Sequence, residues 1–125
     1  MAVKILVADD EPYITTVLAR KLENAGFDVL VASDGQEAYE RGIAESPDLI
    51  ITDLQMPIMN GLEVCARLAA ELPVPIPTLL LTAKGFELDP DEVERLPIQQ
   101  VLTKPFSPRD LVKKVKEALK VPVAT

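Results

Sequence analysis

Five polar side chains close apolar runs in this chain. The pair Asp9-Asp10 follows Val3-Lys4-Ile5-Leu6-Val7-Ala8, Asp53 follows Leu49-Ile50-Ile51-Thr52, Thr82 follows Leu79-Leu80-Leu81, and Lys104 follows Val101-Leu102-Thr103. A lone carboxylate at the end of a run buried on both faces costs several kcal/mol unless something pairs with it. If the first and third runs are neighbours, three carboxylates face one another, and without a cation at least one of them has its pKa raised and stays protonated. Oxygen ligands, few in number, suit a hard ion such as Mg²⁺, which keeps several waters and binds through one or two carboxylates plus a phosphate. Lys104 supplies a further positive charge. A carboxylate beside Mg²⁺, an ammonium and a hydroxyl is equipped to attack phosphorus and become an acyl phosphate. Asp53, alone on its run, is the candidate nucleophile; Asp9-Asp10 is better suited to holding metal. Taken singly, an Asp-Asp pair is ordinary helix N-terminal charge, Thr82 a strand-end hydroxyl and Lys104 a solvated cation. Their joint placement carries the hypothesis.

Composition narrows the alternatives. The chain has no histidine, so imidazole catalysis, histidine metal ligation and a phosphohistidine carrier role within it are excluded, and the single Cys65 excludes a multi-cysteine zinc site. Cys65, Met56 and Met59 have apolar settings and read as packing residues. A net charge of −7 and a pI near 4.6 argue against direct nucleic-acid binding. No apolar stretch approaches the roughly 20 residues of a membrane span, and the start MAVKILVADDE turns acidic too early for a secretory signal, so a soluble, cytoplasmic protein is expected. At 125 residues and 48% hydrophobic content, one domain over 1–120 with a short tail at 121–125 accounts for the chain.

The elements that must position these residues alternate. A strand over 3–8 runs into Glu11-Pro12, a helix start with proline in its first turn, and Ile14, Val17, Leu18 and Leu22 follow at helical spacing until Asn24-Ala25-Gly26. A second strand over 27–32 precedes Asp34 and Glu37, a capping-box pair, and a helix to about Ala44. A third strand over 48–53 is followed by MPIMNG and a second capping-box pair, Asn60 and Glu63. A fourth strand over 78–82, a weak helix capped around Asp89, a fifth strand over 99–103 and a last helix after Ser107 complete the pattern. Strands too apolar for a half-exposed sheet imply an α/β fold, a parallel sheet with helices on both faces, whose sites lie beyond the carboxyl ends of the strands.

With ILVADDEP, LIITDLQMPIMNGLE, LLLTAKG and LTKPFSPRDL in order over essentially its whole length, the chain closely resembles the receiver domain of bacterial two-component response regulators. The resemblance implies a flavodoxin-like, doubly wound five-stranded parallel sheet in order 2-1-3-4-5. It makes Asp53 the phosphoacceptor for a sensor histidine kinase or phosphotransfer protein. Asp10 would touch Mg²⁺ directly, Asp9 mainly through water, and the backbone carbonyl of Gln55 would be a further ligand. Thr82 would be the hydroxyl that moves toward the phosphoryl group and Lys104 its ion-pairing lysine, with a cis Lys104-Pro105 bond. Gln55 and Lys84 would flank the site and tune the phosphate lifetime.

Two features depart from that family. Val101 stands three residues before the lysine, where a Tyr or Phe ring that swings on activation is usual, and valine is small and stiff at χ1. The stretch FELDPDEVERLPIQQ lacks the usual Gly-Ala turn and contains two prolines, which predicts a short or displaced fourth helix. Both lie on the helix 4, strand 5, helix 5 face through which receivers generally meet a downstream target. The leading expectation is a stand-alone, Mg²⁺-dependent phospho-switch acting by protein contacts. The alternatives are an unphosphorylated receiver-like scaffold and a fragment of a longer regulator. An aspartyl-phosphate phosphohydrolase fits less well, because it would want a second Asp where Gln55 stands.

Overall fold

The computed structural model describes residues 2–83 and 88–120. Lys84 and the expected tail at 121–125 lie outside these. The elements are β1 (Lys4–Ala8), α1 (Pro12–Asn24), β2 (Asp28–Ala32), α2 (Gly35–Glu45), β3 (Leu49–Asp53), α3 (Gly61–Glu71), β4 (Thr78–Thr82), α4 (Pro90–Glu94), β5 (Ile98–Thr103) and α5 (Pro108–Lys120). All strand pairs are parallel and the sheet order is β2-β1-β3-β4-β5, the expected doubly wound arrangement.

Every residue of β3 and β4 is buried, which explains why these runs are continuously apolar rather than alternating. Successive side chains enter opposite layers. Leu49 and Ile51 pack with Leu18 and Leu22 of α1 and Leu111 and Val115 of α5, whereas Ile50 packs with Ala38 of α2 and Val64 and Leu68 of α3. A smaller cluster of Leu54, Leu62 and Leu80 lies toward α4. Asp53 continues the alternation of Leu49 and Ile51, on the α1 and α5 side of a strand flanked by β1 and β4.

The helix starts follow their local chemistry with one difference. At α3 the capping box is complete: Asn60 Oδ1 accepts from the Glu63 N–H at 2.8 Å, and Glu63 Oε1 accepts from the Asn60 N–H at 3.1 Å. At α2 only half of it forms. Asp34 Oδ1 accepts from the Glu37 N–H at 2.8 Å, but Glu37 Oε1 accepts from the Ser33 N–H at 2.6 Å, one residue earlier than expected. Glu37 thereby ties down the residue that leaves β2.

Helix α4 has five residues and buries none of them, in line with the short helix expected from its prolines. Directly ahead of β5, Pro97 O accepts from the Thr78 N–H of β4 at 2.9 Å. The register then jumps, with Thr78 opposite Ile98 and Leu79 opposite Gln100, so Gln99 forms a bulge in the outermost strand.

Candidate functional site

The sheet order makes β1 and β3 neighbours, and Asp9, Asp10 and Asp53 meet at their carboxyl ends. One oxygen from each lies within 4.8 Å of the others. Asp9 and Asp53 are buried, at 1% and 6% exposure, while Asp10 faces solvent. Lys104 arrives from beyond β5, its N–H donating to Thr82 O at 2.8 Å, and the Lys104-Pro105 bond is cis. Its ammonium lies 2.8 Å from Asp9 Oδ2, 3.1 Å from Asp53 Oδ1 and 3.4 Å from Glu11 Oε1. Two segments distant in sequence, the ends of β1 and β3, thus converge on this one cation.

The electrostatics follow from that crowding. Burial pushes the Asp53 carboxyl above the ordinary carboxylate range; the charges of Asp9 and Asp10 push the same way, and the hydrogen bond from Lys104 opposes them. Burial alone would weaken the charge on Lys104, but the Asp9 and Asp53 carboxylates outweigh it and hold the ammonium above the ordinary lysine range. Asp9 has a partner on each oxygen, since Oδ1 accepts from the Glu11 N–H at 2.9 Å while Oδ2 takes Lys104.

Thr82, 4% exposed, closes β4, and its hydroxyl donates to Ala83 O at 3.4 Å. Gln55 is exposed and lines, with Asp10, a cleft of about 620 Å³ bounded also by Asn60, Leu62, Asp89 and Glu92. The donor set available to an ion is all oxygen and carries three negative charges against one ammonium. That composition fits a hard divalent cation of the Mg²⁺ kind.

Three features of the site were not anticipated from sequence. A Cβ on Gly61 would sit 2.4 Å from Asp53 O, and one on Gly35 would sit 1.7 Å from Met59 O, so both helix starts press on the backbone around the nucleophile candidate. Bonds from the Gly61 N–H to Leu54 O at 2.8 Å and from the Gly35 N–H to Pro57 O at 3.3 Å hold the β3–α3 loop between them. The available signal was a glycine directly after each N-cap, Asp34 and Asn60. In the same loop Ile58 has φ of 74°, a left-handed conformation costly for a β-branched residue. Finally, Glu11 reaches Lys104 with its side chain. Val101 is half-buried against the Leu54, Leu62 and Leu80 cluster, opposite Leu80 in the sheet.

Residues 5–116 match the family described as the response regulator receiver domain. Among characterised proteins, the alkaline phosphatase synthesis transcriptional regulatory protein PhoP of Bacillus subtilis is 44% identical over 117 residues. That match covers 94% of this chain and 48% of PhoP, so the chain spans about half that relative's length. Among solved structures, the receiver domain of Francisella response regulator 1452 superposes with a TM-score of 0.83 at 32% identity, covering 94% of this chain and 96% of that one. The chemotaxis protein CheY4 of Vibrio cholerae gives a TM-score of 0.80 at 29% identity, covering 94% and 99%.

Proposed function

From the premise that this chain belongs to the response regulator receiver domains, the signalling domains of two-component systems, we propose that Asp53 accepts a phosphoryl group from a partner's phosphohistidine. The shared ammonium carries the reading: Lys104 is 3.1 Å from Asp53 Oδ1, beside three carboxylate oxygens that lie within 4.8 Å of one another. The chain has no histidine, so the donor imidazole must come from a sensor kinase or phosphotransfer protein. An Asp53 carboxylate oxygen attacks phosphorus, the phosphorus–nitrogen bond breaks, and the imidazole leaves with the bonding pair. Asp53 must be ionised to attack, and Lys104 favours that ionisation against burial.

Receiver domains bind Mg²⁺ at an acidic pocket, and the residues here fit it. When bound, the ion supplies charge that offsets the phosphoryl oxygens. Asp53 and the exposed Asp10 would hold it directly, with the Gln55 carbonyl as a further ligand. Asp9, whose oxygens are engaged by the Glu11 N–H and Lys104, would act through water. Thr82 would exchange its long bond to Ala83 O for a phosphoryl oxygen.

The output is delivered by protein contacts through the α4, β5 and α5 face, whether to a separate protein or to an attached domain. α4, with no buried residue, is the element of that face cheapest to displace. Val101, partly buried against Leu54, Leu62 and Leu80, offers no ring to swing, so the switch would run through Thr82. Incubation with acetyl phosphate and Mg²⁺ should add one phosphoryl mass to the wild type and none to Asp53→Ala. No gain in the wild type, with beryllofluoride leaving the amide signals around Asp53 and Thr82 unmoved, overturns the assignment in favour of an unphosphorylated scaffold.

A further inference from the structure

Glu11 is an odd residue for its place. It is the N-cap of α1, in extended conformation with φ −94° and ψ 109°, yet its side chain makes no capping hydrogen bond. Ser, Thr, Asp or Asn would cap there, and glutamate is not among the preferred residues. Its carboxylate turns instead to Lys104, 3.4 Å away. An ammonium has three N–H donors. Among the described residues those of Lys104 face Asp9, Asp53 and Glu11, whose side chains are 0%, 9% and 63% exposed.

We propose that Glu11 is a positioning residue that competes with the phosphoryl group for Lys104 and so limits how tightly the site holds it; this rests on Asp53 being the acceptor. A phosphoryl group arriving on Asp53 converts that carboxylate to an acyl phosphate and brings several anionic oxygens within reach of Lys104, so the ammonium's donors must be shared out again. Asp9 is fully buried, and leaving it unpaired is costly. Glu11 makes the longest contact of the three and stands in solvent, so it is the one displaced. Once displaced, it remains an anion beside a phosphoryl dianion. Both effects disappear when the charge is removed.

The test uses Mg²⁺ and beryllofluoride with the full chain, following amide signals. Glu11→Gln should bind beryllofluoride about threefold to fivefold more tightly, the factor expected for a partly exposed ion pair. The gain should shrink in 1 M salt, where screening acts over about 3 Å. Glu11→Asp is too short to reach Lys104 but long enough to cap α1, and it keeps the negative charge, so it should bind more tightly than the wild type but less tightly than Glu11→Gln, and melt at a higher temperature. A merely structural role would change melting without changing affinity. Equal or weaker binding by both variants, in a protein whose wild type takes up phosphoryl on Asp53, overturns the proposal. If the wild type takes up none, the acceptor assignment fails instead. The Lys104 side-chain NMR shift in metal-free protein then decides for Glu11: a shift unmoved by Glu11→Gln rules out the competition.

Discussion

Lys104 Nζ lies 3.1 Å from Asp53 Oδ1, an ion pair that reaches from beyond β5 across β4 to the end of β3. It joins a strand at the centre of the sheet to the turn after its outer edge. The charge state of Asp53 is therefore tied to the folding of the whole carboxyl edge.

Burial and two neighbouring carboxylates raise the Asp53 pKa above 3.8, so the folded state binds its proton more tightly than the unfolded state. The stability this group contributes is present below 3.8 and is lost as pH rises through the raised folded value. Without metal, Asp53→Asn should therefore match the wild type in acid and become the more stable of the two toward neutral pH. Melting curves in a chelator across that range check this, and a difference independent of pH contradicts it.

Added Mg²⁺ should raise the melting temperature, because it binds the folded carboxylates and not the unfolded chain. At a hundred times its dissociation constant the stabilisation is about 2.7 kcal/mol. Asp10→Asn and Asp53→Asn should each shift the midpoint of a Mg²⁺ titration to higher concentration.

Gly61→Ala and Gly35→Ala force a Cβ to within 2.4 Å of Asp53 O and 1.7 Å of Met59 O, and both obstacles are backbone. Each should cost about 2–4 kcal/mol in urea unfolding. Gly61→Ala should also slow uptake from acetyl phosphate, since the carbonyl it displaces belongs to the acceptor.

Ile58 is 76% exposed at φ of 74°, so replacing it loses little packing and relieves strain. Ile58→Asn should stabilise the fold by about 1 kcal/mol, since Asn tolerates the left-handed region that costs other residues about 1–2 kcal/mol. Denaturant midpoints measured for both proteins provide the comparison.

The strands were legible because β3 and β4 are buried along their whole length and each ends in a polar residue, whereas their order came from the resemblance to receiver domains. The meeting of Asp9, Asp10, Asp53 and Lys104 followed from that order. What could not be read was contact at close range. Nothing in the string shows that Glu37 bonds Ser33 rather than Asp34, or that Glu11 leaves its cap for Lys104, because both depend on where a flexible carboxylate finds its nearest donor. Ile58 was hidden for the opposite reason: its conformation is imposed by the clamped loop against the residue's own preference.

The bulge at Gln99 has a consequence for how the protein behaves at high concentration. β5 is the last strand of the sheet, and an unbroken outer strand is a template on which another molecule's strand can add. The register jump at Gln99 interrupts that template near its start. A second copy of the chain therefore meets a broken rather than a continuous row of backbone partners along β5.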